Sequence, residues 1–194
     1  AVKAAPAEGE GDLALKGYPR PVFSGYSSLR DDGCRVVALF GEGGVVQMLR
    51  AGEAGECLLD RTPFYAESGG QVGDRGEIVS GTGRARVQTT QYGGAGYSIV
   101  RVTVEQGEIS LGQDVDAIVD PDARQNAAIH HTATHLLHAV LREILGPHVK
   151  QSGSLVDPQH LRFDFSHYAA LKDRELADIE ELVNREVRAN DAVT

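Results

Sequence analysis

The chain has 194 residues, of which 41% are hydrophobic and 24% charged, and its formal net charge is −9. This composition allows one large domain or two small ones with an ordinary core. No run approaches the roughly 20 apolar residues that cross a bilayer, so we expect no membrane span. The acidic balance argues against a general nucleic-acid binder. Cys34 and Cys57 form no CxxC pair, which predicts reduced core residues in a cytoplasmic protein.

The first 120 residues predict a linker followed by an all-β domain. Residues 1–19 are rich in Ala, Gly and Glu and show no apolar period, as is typical of a linker or tail. Over residues 20–120, glycine-rich or acidic turns separate short apolar runs: VFSGYS, CRVVALF, VVQML, ECLLD, GEIVS, ARVQTTQY, YSIVRVTV and VDAIVD. This spacing favours a small β-barrel or sandwich.

The pattern of apolar residues changes from strand-like to helical at residue 121, and residues 121–194 predict the first part of an α+β domain. Pro121-Asp122 suits the first turn of a helix, and a helical pattern continues to about Leu145. Two strand-like runs follow, SLV and LRFDF, and a second helix is expected from about Leu171. Its apolar stripe contains Leu176, Ile179, Leu182, Val183 and Val187. We expect the chain to end before such a domain is complete.

The first of these helices carries a cluster of histidines. At 100° per residue, His131, His135 and His138 lie within about 60° of one another. The apolar face is expected on the opposite side, at Ile129, Ala133, Leu136, Val140 and Ile144. His131 and His135, spaced i and i+4, can direct two ring nitrogens at one point, as a zinc site requires. Two ligands do not complete such a site, and Thr132 replaces the glutamate of HExxH. A merely polar helix surface is the alternative.

The segment Asp60–Gly76 is rich in glycine and reads DRTPFYAESGGQVGDRG. Thr62-Pro63 predicts an extended entry to it. Positive φ and close backbone approach are available at Gly69, Gly70, Gly73 and Gly76. Such a segment either presents backbone N–H groups to a ligand or serves as a long hairpin connection. The pattern is neither a P-loop nor a dinucleotide-binding fingerprint.

Three strings together resemble one family. They are LDRTPFYAESGGQVGDRGEI, HTATHLLHAVLREILGPHVKQSGSLV and LRFDFSHY. In this order they are similar to alanyl-tRNA synthetases at the junction between the tRNA-recognition region and the editing domain. The segment FSGYSSL resembles the first barrel strand of that family, so the similarity extends from Val22 to Thr194. Two alternatives stay open: a free-standing alanyl-tRNA editing deacylase, and an RNA-binding or structural barrel module without catalysis of its own.

The resemblance implies a fold and a function. A translation-factor-like barrel over residues 20–120 would precede the first part of a zinc-dependent editing domain over residues 121–194. That domain hydrolyses mischarged Ser-tRNA(Ala) and Gly-tRNA(Ala) in a cytoplasmic alanine–tRNA ligase. The expected partners are the acceptor end of tRNA(Ala) and the remaining domains of the synthetase, whose ATP and alanine sites would lie upstream.

The resemblance also implies site residues. His131 and His135 match the family's zinc ligands, and a Cys-x-x-x-His pair expected downstream would supply the others. Thr134 and Gln151 match residues of the editing pocket. A glycine-rich motif bordering that pocket is matched by Glu67, Gly69 and Gly70. No residue is identified as a general base. By itself, this chain is expected to bind zinc weakly and to show little or no deacylation.

Overall fold

The structure, a computed structural model, describes Leu15 and residues 17–189 of the chain. Most of the predicted linker, residues 1–14 and 16, lies outside the described residues. Within the described part, neither of the two helices has the length and apolar character needed to cross a membrane.

The contacts between residues divide the chain into two compact units. The barrel unit contains the described residues up to 68 together with residues 72–124. The α+β unit contains residues 69–71 and 125–189. The short segment 69–71, from the middle of the glycine-rich stretch, therefore belongs to the unit that is otherwise built from the second half of the chain.

The barrel unit contains ten strands. They are β1 (Val22–Phe23), β2 (Arg30–Gly41), β3 (Gly44–Val45), β4 (Met48–Arg50), β5 (Ala54–Leu59), β6 (Arg61–Thr62), β7 (Gly76–Val79), β8 (Gly83–Tyr92), β9 (Ser98–Ser110) and β10 (Asp114–Val119). Six of them close a barrel in the order β10-β7-β8-β9-β5-β2, with β10 pairing again with β2. Strand β3 pairs with β2, β4 with β9, and β1 with β6 in parallel.

The barrel confirms the all-β prediction for this part of the chain. Every predicted apolar run contributes to a strand, although VVQML is divided between β3 and β4. Strand β6, within the glycine-rich segment, was not predicted because two residues are too few to show alternation. Together with two helices, this barrel gives the expected α+β composition.

The barrel interior follows the period-two alternation of its strands. On β9, Val100, Val102 and Val104 face inward and are almost completely buried. Cys34 and Cys57 lie in the same core, which confirms that they are small core residues. Burial raises the pKa of the Cys34 thiol to about 11 and that of the Cys57 thiol to about 12, because a buried thiolate loses its solvation.

A second apolar cluster of the barrel unit includes the end of the predicted linker. Leu15 is buried there with Ala38, Leu58 and other strand residues, and Tyr18 packs beside it. The Tyr97 hydroxyl donates a hydrogen bond of 2.8 Å to the carbonyl oxygen of Tyr18. These contacts attach the chain before β1 to the strands of its own unit.

Helix α1 (Pro121–Leu145) begins and ends where the sequence predicts. The N–H of Ala123 donates to the Asp120 carboxylate at 3.0 Å, so Asp120 caps the first turn. Gly146 follows the last helical residue with φ +112°, a conformation that L-residues with side chains rarely adopt. Strands β11 (Lys150–Val156) and β12 (Leu161–Ser166) then form the antiparallel hairpin of the α+β unit.

Helix α2 (Asp173–Ala189) closes the described chain. It begins two residues later than predicted, because the Lys172 N–H donates to the Glu175 carboxylate at 2.8 Å and places Lys172 at the cap. The predicted stripe is buried only at its centre. Ile179 is buried and Leu182 and Val183 are half-buried, whereas the stripe's two end residues are exposed: Leu176 and Val187.

The predicted apolar face of α1 is wrong at Ile129. Ile129 is 53% exposed, while Val140 and Leu141 are buried beside Ile179 of α2. The residues of α1 that pack in this core are Leu137, Val140, Leu141, Ile144 and Leu145. Their partners in this core include Phe163 and Phe165 of β12 and Leu182 and Val183 of α2, which the helical pattern alone does not specify.

Candidate functional site

Helix α1 brings the two predicted zinc ligands together. The His131 and His135 rings stack with their centroids 5.0 Å apart and their planes at 25°. His131 is half-buried and His135 is exposed. The i, i+4 spacing produces this proximity, since residues four apart lie one above the other on a helix surface. The pair therefore presents two imidazoles side by side at the surface of the α+β unit.

Gln71 contacts one of these two rings. Its side-chain oxygen lies 2.7 Å from Nδ1 of His131, and the residue is only 8% exposed. Sequence reasoning missed Gln71, although it directly follows the Gly69-Gly70 pair that was singled out. The only signal was an amide side chain in a stretch of small residues, and nothing in the sequence indicated which of the seven histidines it would meet.

Gly69 and Gly70 adopt backbone conformations that favour glycine, with φ of +61° and +86°. The carbonyl oxygen of Gly70 accepts a hydrogen bond of 2.8 Å from the Val156 N–H. A Cβ added at Gly70 would lie 2.8 Å from the Ser154 carbonyl oxygen, closer than real Cβ contacts. These glycines let the segment lie directly against strand β11, and this close approach is how Gln71 enters the α+β unit.

Thr134, a predicted pocket residue, is buried and already hydrogen-bonded. Its hydroxyl donates to the carbonyl oxygen of His130 at 2.8 Å, one turn earlier on α1. The hydroxyl hydrogen is therefore used within the helix, whereas the oxygen still has lone pairs to accept a further hydrogen bond. Thr134 stands next to His135 in sequence, on a side of the helix removed from solvent.

Gln151, the other predicted pocket residue, is exposed on β11 opposite Phe165 of β12. A register shift between Gln151 and Gly153 interrupts the regular pairing just after it. Among the described residues, Gln151 hydrogen-bonds neither His131 nor His135. Its side chain is free to meet a ligand from solvent.

Glu67 belongs to the barrel unit. Its N–H donates to the Thr90 carbonyl oxygen at 2.9 Å, and its exposed carboxylate accepts a bond of 3.4 Å from the Gln91 amide. The backbone of Glu67 is thus bonded to a buried residue, whereas its carboxylate contacts only the exposed Gln91 side chain among the described residues.

His138 does not share the surface of the other two histidines. Its ring packs against Phe163 with centroids 5.1 Å apart, and its Nε2 is buried without a hydrogen-bond partner among the described residues. The prediction of a common imidazole face is therefore wrong for His138. Helical projection placed it on that face, but β12 lies against that side of the helix and covers it.

A second histidine cluster occurs near the end of β12. Nε2 of His148 lies 2.9 Å from Nδ1 of His167, and Tyr168 stacks on His148 at 4.4 Å. Lys150 and Ser166 complete the lining of this concave surface. Sequence reasoning did not pair these residues, because nineteen positions separate the two histidines.

The donor set around α1 fits zinc chemically but is incomplete. Neutral imidazole is a good zinc ligand, yet zinc takes three or four protein ligands. In the part of the chain that the structure describes, no group of three or more His, Cys, Asp or Glu residues is placed to hold a metal. Cys34 and Cys57 lie in the barrel core. Two imidazoles would supply half of the four ligands that a structural zinc site uses.

Comparison with known proteins gives a consistent set of relatives. The alanine–tRNA ligase of Pseudomonas entomophila (strain L48) is 49% identical over 172 residues, covering 88% of this chain and 19% of the relative. That of Acidithiobacillus ferridurans is 49% identical over 179 residues, covering 92% and 20%. That of Halorhodospira halophila (strain DSM 244 / SL1) is 52% identical over 171 residues, covering 88% and 20%. The chain therefore spans about one fifth of the length of the curated relatives it matches.

A family model supports the same relationship to tRNA synthetases. The model described as tRNA synthetases class II (A) matches residues 10–123, more than half of the chain. The match covers the barrel and ends before the histidines of α1, so the relatives above are the comparisons that extend over them. The chain belongs to the class II (A) tRNA synthetase family and is similar, over about nine tenths of its length, to a segment of alanine–tRNA ligases.

Proposed function

We propose that this chain is a segment of an alanine–tRNA ligase and that it begins the module which hydrolyses mischarged Ser-tRNA(Ala) and Gly-tRNA(Ala). The observation that carries the proposal is the pair of stacked imidazoles of His131 and His135 at one surface of the α+β unit. In this proposal the barrel is of the translation-factor type and precedes the editing domain. The parent protein binds the acceptor end of tRNA(Ala).

The chemistry of alanine selection supports such a module. A pocket that accepts alanine cannot strongly reject the smaller glycine, and it rejects the added hydroxyl of serine only weakly. A second, hydrolytic site supplies the missing discrimination, because it can favour the polar side chain that the first site tolerates. A hydrolytic site of this kind needs a polar contact for serine and a group that promotes attack on the ester.

Residues of the α+β unit suit these two tasks. His131 and His135 would hold zinc, and zinc bound there would supply a Lewis acid for the ester, its attacking water or the substrate amino group. The Thr134 hydroxyl, which donates to His130, can accept a hydrogen bond from serine's hydroxyl, and the exposed amide of Gln151 can offer a second polar contact. Alanine's methyl group can make neither contact.

The incomplete donor set leads to an expectation for this chain alone. Two imidazoles bind zinc weakly compared with the three or four ligands of a complete site. We therefore expect little or no deacylation from residues 1–194, and full editing activity only in the whole ligase with a downstream Cys-x-x-x-His pair.

The test uses the full-length ligase that contains this segment. The change is His131→Ala with His135→Ala, and the measurement is the release of serine from Ser-tRNA(Ala). Loss of one hydrogen bond to a metal-bound histidine costs roughly 10- to 100-fold in metal affinity or activity, so loss of both ligands is expected to slow deacylation by more than that.

A matched control removes another histidine pair from the same unit, His148→Ala with His167→Ala, and is expected to retain deacylation. Aminoacylation with alanine verifies that each variant is folded. Equal deacylation by the wild type and the His131/His135 variant would exclude the pair from the chemistry. The segment would then be a scaffold or an RNA-contact surface.

A further inference from the structure

We propose that Gln71 is a positioning residue for His131: it holds the proton of the imidazole on Nδ1, so that Nε2 carries the free lone pair that ligates a divalent cation. The inference deepens the proposed function and rests on its zinc site. Gln71 itself touches no substrate in this scheme and acts through His131.

The hydrogen bond determines where the imidazole proton lies. The Gln71 side-chain oxygen, 2.7 Å from Nδ1, can only accept, so Nδ1 must carry the proton that is donated. In a neutral imidazole one nitrogen carries the proton and the other accepts. The nitrogen that binds a metal is set by the hydrogen bond that the other nitrogen makes. This bond therefore leaves Nε2 of His131 available to a metal.

Gln71 is itself held rigidly, which lets it orient a ring. Its backbone forms a parallel bridge with Val156 at the end of β11, and the preceding residue, Gly70, accepts the Val156 N–H at 2.8 Å. The residue is 8% exposed, so water competes little for its side-chain oxygen. A long side chain anchored at both ends loses little further entropy when it fixes the ring.

This arrangement also gives the glycine-rich segment a specific task. The positive φ of Gly70 and the lack of a Cβ allow the backbone to pass close to Ser154 of β11. That passage brings the following residue, Gln71, within hydrogen-bonding distance of α1. The glycines therefore act on the histidine pair through the placement of Gln71.

The experiment compares three variants with the wild type. Gln71→Leu removes the acceptor at similar size, Gln71→Glu keeps an oxygen that accepts from Nδ1–H, and Gln159→Leu removes an exposed glutamine of the same unit. The first readout needs no metal. In this chain labelled with ¹⁵N-histidine, NMR reports the tautomer of His131, whose signals are identified by their loss in His131→Ala.

The wild type and Gln159→Leu are expected to show the Nδ1–H tautomer of His131. Gln71→Leu is expected to populate the Nε2–H tautomer, and Gln71→Glu to restore Nδ1–H. The second readout is zinc affinity of the full-length ligase, measured by competition with a chelating dye. We expect roughly 10- to 100-fold weaker binding in Gln71→Leu and a smaller loss in Gln71→Glu.

An unchanged tautomer in Gln71→Leu, or a changed tautomer with unchanged zinc affinity, would overturn the positioning role. The proposed function fails in a different way, through deacylation that survives loss of His131 and His135. A ligase that binds zinc through those histidines but ignores Gln71 would thus refute only the inference. Far-UV circular dichroism verifies that Gln71→Leu is folded, and rescue by Gln71→Glu separates a lost hydrogen bond from a packing defect.

Discussion

The ion pair between Asp74 and Arg124 allows a quantitative test of how the barrel unit is stabilised. The Arg124 Nε lies 3.0 Å from each Asp74 carboxylate oxygen, and a terminal guanidinium nitrogen contacts the same carboxylate. The side chains are 6% and 18% exposed. The guanidinium also donates to the carbonyl oxygens of Gly25 at 2.8 Å and Pro63 at 2.9 Å, while the Tyr65 N–H donates to the carboxylate at 2.7 Å.

The burial of the pair determines the expected cost of breaking it. Removing one partner of a buried ion pair costs about 3–5 kcal/mol, because the other charge is left uncompensated. Asp74→Ala is expected near the lower limit, about 3 kcal/mol, since Arg124 keeps two carbonyl acceptors. Combined with Arg124→Ala in a double-mutant cycle, the coupling energy is expected to be about 2 kcal/mol, within the range for contacting residues.

Equilibrium unfolding of this chain in urea measures these energies. The chain has no tryptophan, and five of its six tyrosines precede residue 124, so tyrosine fluorescence reports mainly on the barrel unit. A parallel cycle on Arg86 and Glu105, an exposed pair at 2.7 Å on the same barrel, is the control. We expect about 0.5 kcal/mol or less there. Equal coupling energies in the two cycles would refute the claim that burial makes the Asp74–Arg124 pair important.

Two further predictions concern the barrel unit. Gly73→Ala is expected to destabilise it by about 1–3 kcal/mol, because the new Cβ would clash with the Thr90 carbonyl oxygen. The control Gly81→Ala places its Cβ in open space and should change the urea midpoint little. Equal urea midpoints for the two variants would contradict this account. The Cys34 and Cys57 thiols, with pKa values raised by burial to about 11 and 12, are expected to resist a thiol-specific dye at pH 8 until urea unfolds the chain. Because folding raises both pKa values, the contribution of the two thiols to stability is complete below about pH 9 and is lost as pH rises toward 11–12. Rapid labelling of the folded chain would contradict the burial of these thiols.

Local patterns in the sequence were sufficient for the elements. The start of α1 at Pro121-Asp122 and its end at Leu145 were predictable because helix initiation and termination depend on neighbouring residues. The barrel strands were readable because valine and isoleucine alternate along them. The i, i+4 spacing of His131 and His135 also fixed their proximity in advance, since that proximity needs only the helix itself.

Contacts between distant parts of the chain were decided only by the tertiary structure. Gln71 meets His131 sixty positions away, and Asp74 meets Arg124 fifty positions away. No local pattern specifies such pairs, because each depends on where a long segment returns. The same kind of contact covers His138, whose ring packs against Phe163 of β12 although helical projection places it beside His131 and His135. The sequence by itself thus determined the elements and the histidine pair, while the fold decided which side chains support them.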